Sequence, residues 1–321
     1  MTPWLNHCHF GDVRDVLRRM IADGVKVNTI VTSPPYWGLR SYLPAGHPDK
    51  TREIGSEPTL AEFLTTMVGV FDLCRQVLAD DGTMWVNMGD SYNAQPGQRK
   101  ETDKAGAKQQ SKRGSTGAPS RSVEGLKPKD LIGQPWRLAF ALQDAGWYLR
   151  QDIIWHKPNP MPESVTDRCT KSHEYLFLLA KSERYFFDHV AIQEPETMKP
   201  QNRLTPRKAN PDAKVHGMPE YRQQEGGTGG GMRNRRSVWS VNTAPYGGAH
   251  FATFPPALIE PCILAGAPVG GVVLDIFIGS GTTAQVAEAL GRQWIGIDID
   301  ERNKALQDER LRQTSLLLEA A

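Results

Sequence analysis

Apolar positions along the chain follow two rhythms. Short apolar runs closed by Gly, Pro or Asp alternate with longer stretches in which apolar residues recur every three or four positions. The runs predict strands at Asn6–Phe10, Val27–Val31, Thr83–Met88, Val272–Asp275 and Trp294–Asp298. The longer stretches predict helices through Val16, Leu17 and Met20, and from Thr59 through Leu60, Phe63, Leu64, Met67, Val70, Phe71, Cys74 and Val77. Further helices are expected over Leu131–Leu142, from Phe254, over Thr282–Leu290 and at the carboxyl end, whereas Asp80-Asp81-Gly82 should end the second one. Trp147–Trp155 and Tyr175–Ala180 read as an antiparallel strand pair around a proline-rich loop, His156 to Pro162. Strands alternating with helices predict an α/β architecture.

Charge adds a second pattern. The net charge of the 321 residues is only +2, yet Arg99–Lys129 and Lys199–Trp239 each hold nine Lys/Arg against three Asp/Glu, leaving the rest of the chain at −10. Neither segment has a sustained hydrophobic period, and the glycine run Gly226–Gly231 is expected to be the most flexible part of the second. An acidic body with two basic arms suits a polyanion, and equally suits two solvated loops. The four cysteines, Cys8, Cys74, Cys169 and Cys262, show no paired spacing and read as structural, with no disulfide or metal framework. No leader or membrane span is evident, so a cytoplasmic location is expected.

Two segments carry candidate chemistry. Val31-Thr32-Ser33-Pro34-Pro35-Tyr36-Trp37 drives a strand into two prolines that cannot continue a ladder, so a hydroxyl and two aromatics emerge at a strand's carboxyl end, where α/β sheets bind ligands. A rigid loop with core aromatics would read the same way. The second segment, Leu274-Asp275-Ile276-Phe277-Ile278-Gly279-Ser280-Gly281-Thr282-Thr283, is a strand, a glycine turn and a helix start, and Asp298 ends the next strand, placed to hold a ribose. The third glycine of a dinucleotide fingerprint is absent, and no lysine follows to make a P-loop. A carboxylate-bearing turn suits a ligand with an ammonium group and a ribose, as in S-adenosylmethionine.

With both segments in order, the chain resembles the permuted beta group of amino DNA methyltransferases, the N4-cytosine and N6-adenine enzymes with an S-P-P-Y type motif. Ser33-Pro34-Pro35-Tyr36 matches the catalytic motif and Asp275 to Thr283 the cofactor motif; Gly11-Asp12, Trp85 to Asp90, Trp155 to Asn159, His250 to Pro255 and Asp298 extend the likeness. The resemblance implies a Rossmann-like, S-adenosylmethionine-dependent methyltransferase fold, a mostly parallel sheet with an antiparallel hairpin, circularly permuted, with inserted DNA-recognition segments. It divides the chain into a catalytic half (1–94), a basic flexible insert (95–128), core continuation (129–190), a target-recognition insert (191–245) and a cofactor-binding half (246–321). It also implies that Asp12 approaches the cofactor's adenine, Asp298 its ribose, and Asp275 with Phe277, Gly279, Gly281 and Thr282 its methionine part, with Phe254 as an outer wall. Asn159 would lie near the flipped base.

An exocyclic amine is a weak nucleophile because its lone pair is delocalised. Ser33 Oγ and the Pro34 carbonyl could each accept one amine hydrogen, with Pro35 stiffening the turn and Tyr36 stacking on a base flipped from the duplex at roughly a few kcal/mol. Direct methyl transfer to cytosine N4 is preferred because serine leads the motif. Adenine N6, an RNA or protein amide, and a non-catalytic DNA-binding relative are the alternatives. Arg233, Arg235 and Arg236 are expected to bind double-stranded DNA, and cleavage would belong to a separate cognate restriction endonuclease. Cys262 reads as core rather than a nucleophile, and His156 and His173 as hydrogen-bonded or surface residues with no metal.

Overall fold

Successive residues of the central strands face opposite sides of one sheet, and both sides are covered. On β2 (Val27–Thr32), Ile30 joins one apolar cluster and Val31 the other. On β3 (Leu78–Met88), Met84 and Val86 face the first cluster and Trp85 the second. The computed structural model describes residues 3–39, 41–93, 122–196, 231–243 and 254–319. Most of the two basic segments, and His250 to Thr253, lie outside the described residues.

Eight strands form the sheet in the order β1 (His7–Phe10), β10 (Gln293–Asp298), β9 (Val272–Asp275), β2, β3, β5 (His173–Ala180), β4 (Tyr148–His156), β8 (Val238–Ser240). β1 to β3 run parallel across the sheet, and β5 turns antiparallel to both β3 and β4, as the hairpin reading requires. Phe10 pairs with Asp298, so the first and last strands are neighbours. Helices α1 (Val13–Ala22), α2 (Leu60–Val77) and α3 (Gln134–Asp144) cover one face; α4 (Pro256–Gly266), α5 (Thr282–Ala289) and α6 (Lys304–Glu319) belong to the other half of the chain's packing. A capping box between Thr59 and Glu62 starts α2, satisfying two helix-end donors at once.

Three expectations change. Asp80-Asp81-Gly82 does not separate helix from strand, because α2 passes straight into β3 at Leu78. Val27 pairs with Leu78 and Thr29 with Thr83, so the polar triplet is pushed out as a bulge between two intact ladder positions. Asp80 there pairs with Lys181 at 2.8 Å, and the Asp81 carbonyl accepts from Phe186 N at 2.8 Å. Second, the end of the second basic segment is no loose arm: Val238, Trp239 and Ser240 pair with Ile154, Trp155 and His156 as β8. Third, Trp37 turns into the core and donates its Nε1 hydrogen to the Glu57 carbonyl at 2.9 Å. Cys74 and Cys262 are core residues, but Cys169 is exposed. No helix among the described residues is long and apolar enough to cross a membrane.

Candidate active site

The parallel strands end on one edge, and each delivers a singled-out residue there. Asp12 follows β1, Asp298 ends β10, Asp275 ends β9, Ser33 follows β2 and Asp90 follows β3. Positions more than 250 residues apart in the chain thus share the carboxyl edge, the usual ligand-binding side of such sheets.

The three carboxylates on the β1–β10–β9 side are all buried. Asp275, 1 % exposed, accepts from Thr32 Oγ1 at 2.7 Å on one oxygen and from Thr283 Oγ1 at 2.6 Å on the other, and Phe277 N adds a bond at 3.1 Å. Burial pushes its carboxyl up to about 6, against the pull of those donors. Asp298 accepts from Asp300 N and from Asn303 Nδ2, each at 2.9 Å, and burial pushes it up to about 7. Burial also works to raise Asp12, but the Arg14 hydrogen bonds at 2.8 and 2.5 Å outweigh it and hold this carboxyl below the usual range. Asp12 also caps α1 through Arg14 N.

Between these acids the chain makes a tight cradle. Gly279 and Gly281 have φ of 52° and 86°, in the left-handed region, and a Cβ on Gly281 would meet Gln307 at 3.4 Å. Gln307 donates to the Gly279 carbonyl at 2.8 Å, fixing the turn. No side chain caps the start of α5, and Thr282 Oγ1 is buried there with no partner among the described residues. An uncapped helix start and an orphaned hydroxyl offer hydrogen bonds to a polar ligand. Phe277 is half-buried beside them, and Phe254 packs in the second apolar cluster ahead of α4.

On the β2–β3–β5 side, Pro34 is buried, and Ser33, Pro35 and Tyr36 are half-buried. Tyr36 Oη donates to Glu174 Oε2 at 3.2 Å, and Asn87 Nδ2 donates to the same oxygen at 3.3 Å. Lys157 is ion-paired with the other carboxylate oxygen, its ammonium 4.2 Å from the Trp155 ring centroid. Burial pushes the Tyr36 phenol well above its ordinary range and the Glu174 charge adds to the effect, against the pull of the neighbouring Gly89 backbone and Ser33 side chain. A Cβ on Gly89 would come within 3.0 Å of Tyr36 and 3.2 Å of Glu174, so the closeness of the two needs glycine there. They border a cavity of about 200 Å³ shared with Lys157, Lys171, His173 and Gln134. Lys171 Nζ and Gln134 Oε1 are buried without partners among the described residues. Asp90 accepts from Ser91 N, Gly133 N and Gln134 N at 2.9 to 3.1 Å, and so caps the start of α3.

Sequence reasoning missed Glu174, Lys171 and the hydrogen-bonding role of Asn87. Glu174 reaches the Pro-Pro turn only because β5 pairs antiparallel with β3, Tyr175 opposite Met88. The sign available was a carboxylate opening an apolar strand at the sheet's ligand edge.

The expected DNA-contacting residues lie just beyond β4 and in the stretch that leads into β8. Asn159 exchanges two hydrogen bonds with the Thr243 backbone, at 2.9 and 3.2 Å, and Trp155 Nε1 donates to the Val241 carbonyl at 2.8 Å. Arg233 and Arg236 both pair with Glu194, at 2.9 and 2.6 Å, across a two-stranded ribbon of β6 (Glu194–Pro195) and β7 (Met232–Arg233). Arg235 lies 4.8 Å from the Trp239 ring centroid. His156 Nδ1 is 3.0 Å from Ser240 Oγ, and Cys262 is fully buried inside α4, its thiol pushed up by burial.

A family model described as DNA methylase matches residues 27–308. The type II methyltransferase M.Cfr9I of Citrobacter freundii is 47% identical over 291 residues, 90% of this chain and 82% of its own length. M.SmaI of Serratia marcescens, also a type II methyltransferase, is 44% identical over 301 residues, 94% of this chain and 89% of its own. Among solved structures, the PvuII DNA methyltransferase, titled cytosine-N4-specific, superposes with a TM-score of 0.59 at 17% identity, covering 94% of this chain and 85% of that one. The M1.HpyAVI–SAM complex superposes with a TM-score of 0.53 at 16% identity, covering 95% and 98%.

Proposed function

This chain belongs to the N6/N4 DNA methylase family, and on that footing we propose that it transfers a methyl group from S-adenosylmethionine to the N4 amine of cytosine at a specific site in double-stranded DNA. The observation that carries the reading is the Thr32–Asp275 bond: it ties the strand that leads into Ser33 to the strand that opens the glycine turn, so a methyl donor and an amine acceptor would meet between them. Serine at the head of the Pro-Pro motif favours cytosine over adenine.

The buried carboxylates, the uncapped α5 and the orphaned Thr282 hydroxyl fit S-adenosylmethionine. Asp298 would take the ribose hydroxyls, since each of its oxygens keeps acceptor capacity beyond one protein donor. Asp12 would border the adenine, and Phe277, Gly279, Gly281 and Thr282 the methionine end, with Asp275 bracing the turn and Phe254 walling it. When bound, the cofactor would supply an electrophilic methyl group on a sulfonium able to leave as a neutral thioether. Ser33 Oγ and the Pro34 carbonyl accept the two amine hydrogens, which localises the nitrogen lone pair, and Pro35 and the Tyr36 ring hold the base in place.

The segments 95–128 and 191–245 serve as DNA-contacting inserts on a core made of 1–94, 129–190 and 246–321, with Asn159, Arg233, Arg235 and Arg236 on the DNA side. Cleavage, in any restriction pairing, is assigned to a separate endonuclease. Nucleoside mass spectrometry of DNA treated with the purified protein and cofactor tests the reading. N4-methylcytosine is the expected product; N6-methyladenine alone would transfer the same site to adenine.

A further inference from the structure

We propose that Ser33, Tyr36 and Glu174 form a proton exit, carrying the surplus proton from the newly methylated amine to a carboxylate on the cavity wall. The inference rests on the reading of Ser33 as the amine's hydrogen-bond acceptor and holds for either base. An amine that has accepted a methyl cation bears one proton too many, and an alcohol takes that proton only if it passes its own along. The Tyr36 phenol is in position to receive it: it adjoins the Ser33 side chain on the same Pro-Pro turn and donates to Glu174 Oε2 at 3.2 Å. The Glu174 side chain is 19 % exposed, so it can return the proton to water.

The neighbours narrow the choice of acceptor. Asp90, also on the cavity wall, is occupied by the backbone N–H of Ser91 and by two more, of Gly133 and Gln134, at the start of α3. Asn87 holds the Glu174 oxygen in place but has no basic site of its own. Lys157 occupies the far oxygen, which leaves Oε2 turned to Tyr36. In the step, the N–H bond breaks as an O–H bond forms on Ser33; the Ser33 proton passes to Tyr36, and the Tyr36 proton to Glu174. The products are a neutral methylated amine, unchanged serine and tyrosine, and a protonated Glu174, with no electron transfer. Glu174 acts through Tyr36 and is therefore a positioning and proton-accepting residue rather than one that touches the base.

The test uses the full chain, DNA that the wild type methylates, and single-turnover rates. Glu174→Gln and Tyr36→Phe are each expected to slow transfer at least tenfold and the double variant no more than either alone, because both break one relay. Cofactor affinity by calorimetry and DNA affinity by fluorescence anisotropy should stay within about twofold of wild type. Formate, a small carboxylate that fits the vacated space, should restore most of the rate in Glu174→Ala and none in Tyr36→Phe. Full-rate transfer by Glu174→Gln, additive losses, or a loss in Glu174→Ala that formate leaves untouched would overturn the relay. Wild-type protein that methylates no exocyclic amine would instead overturn the reading of Ser33.

Discussion

The two halves of the sheet's carboxyl edge handle charge in opposite ways. On the β1–β10–β9 side, Asp275 and Asp298 are sunk in the fold and burial drives them towards the neutral form, each answered by uncharged protein donors. On the β2–β3–β5 side, Glu174 is partly exposed, paired with the Lys157 ammonium and shared with a phenol and an amide. On the proposed reading, burial would ready the first acids for a ligand that brings hydroxyls and positive charge. Pairing keeps the second acid in one place, beside the turn where the reacting amine would sit.

If that division is right, substitutions on the two sides should fail differently. The largest effect is expected on the base side: Ser33→Ala should lower transfer about a hundredfold or more, with cofactor affinity nearly unchanged by calorimetry. On the other side, Asp298→Ala should weaken cofactor binding about tenfold or more while DNA affinity is kept, since the loss falls on binding. A parallel loss of both affinities in either variant would erase the distinction.

Stability should also report the burial. The Asp298 carboxyl titrates near 7 in the fold against about 3.9 when unfolded, so between those pH values the native chain holds a proton that the unfolded chain has released. Its contribution therefore favours folding at low pH and is lost as pH rises from about 4 to 7, by about 4 kcal/mol. Urea titrations of the ligand-free protein across that range should show a flatter pH dependence in Asp298→Asn than in wild type. Thr32→Val, which removes one donor to buried Asp275, should cost about 1 to 3 kcal/mol in the same assay. The smallest effect concerns Arg233, Arg235 and Arg236. Neutralising all three should reduce the slope of log affinity for DNA against log salt by up to about 3, and an unchanged slope would leave Arg233 and Arg236 as fasteners of Glu194 and Arg235 as a partner of Trp239 alone.

The parallel strands and their tips were legible because each apolar run is local and ends in a residue that stops a ladder, as at Pro34 or Gly279. The same local reasoning misplaced Asp80-Asp81-Gly82: turn residues are tolerated inside a strand when ladder pairs on both sides hold and the excess is expelled as a bulge. β8 was invisible because three residues carry no period, and its pairing to β4 is set by long-range contacts through Trp155 and Val241. The acid next to Tyr36 was hidden for the same reason. Glu174 lies 138 residues further along the chain, and only the antiparallel register of β5 brings it to the turn.

The hydroxyl of Thr32 adds a thermodynamic link. It joins the strand that presents Ser33 to the carboxylate beneath the glycine turn, so a displacement of either loop that strained this bond would be felt by the other. Coupling between two binding sites is reciprocal: if a bound cofactor raises affinity for the flipped base by some factor, a bound base raises affinity for the cofactor by that same factor. Through one side chain, occupancy on the proposed cofactor side would become information available to the proposed base side.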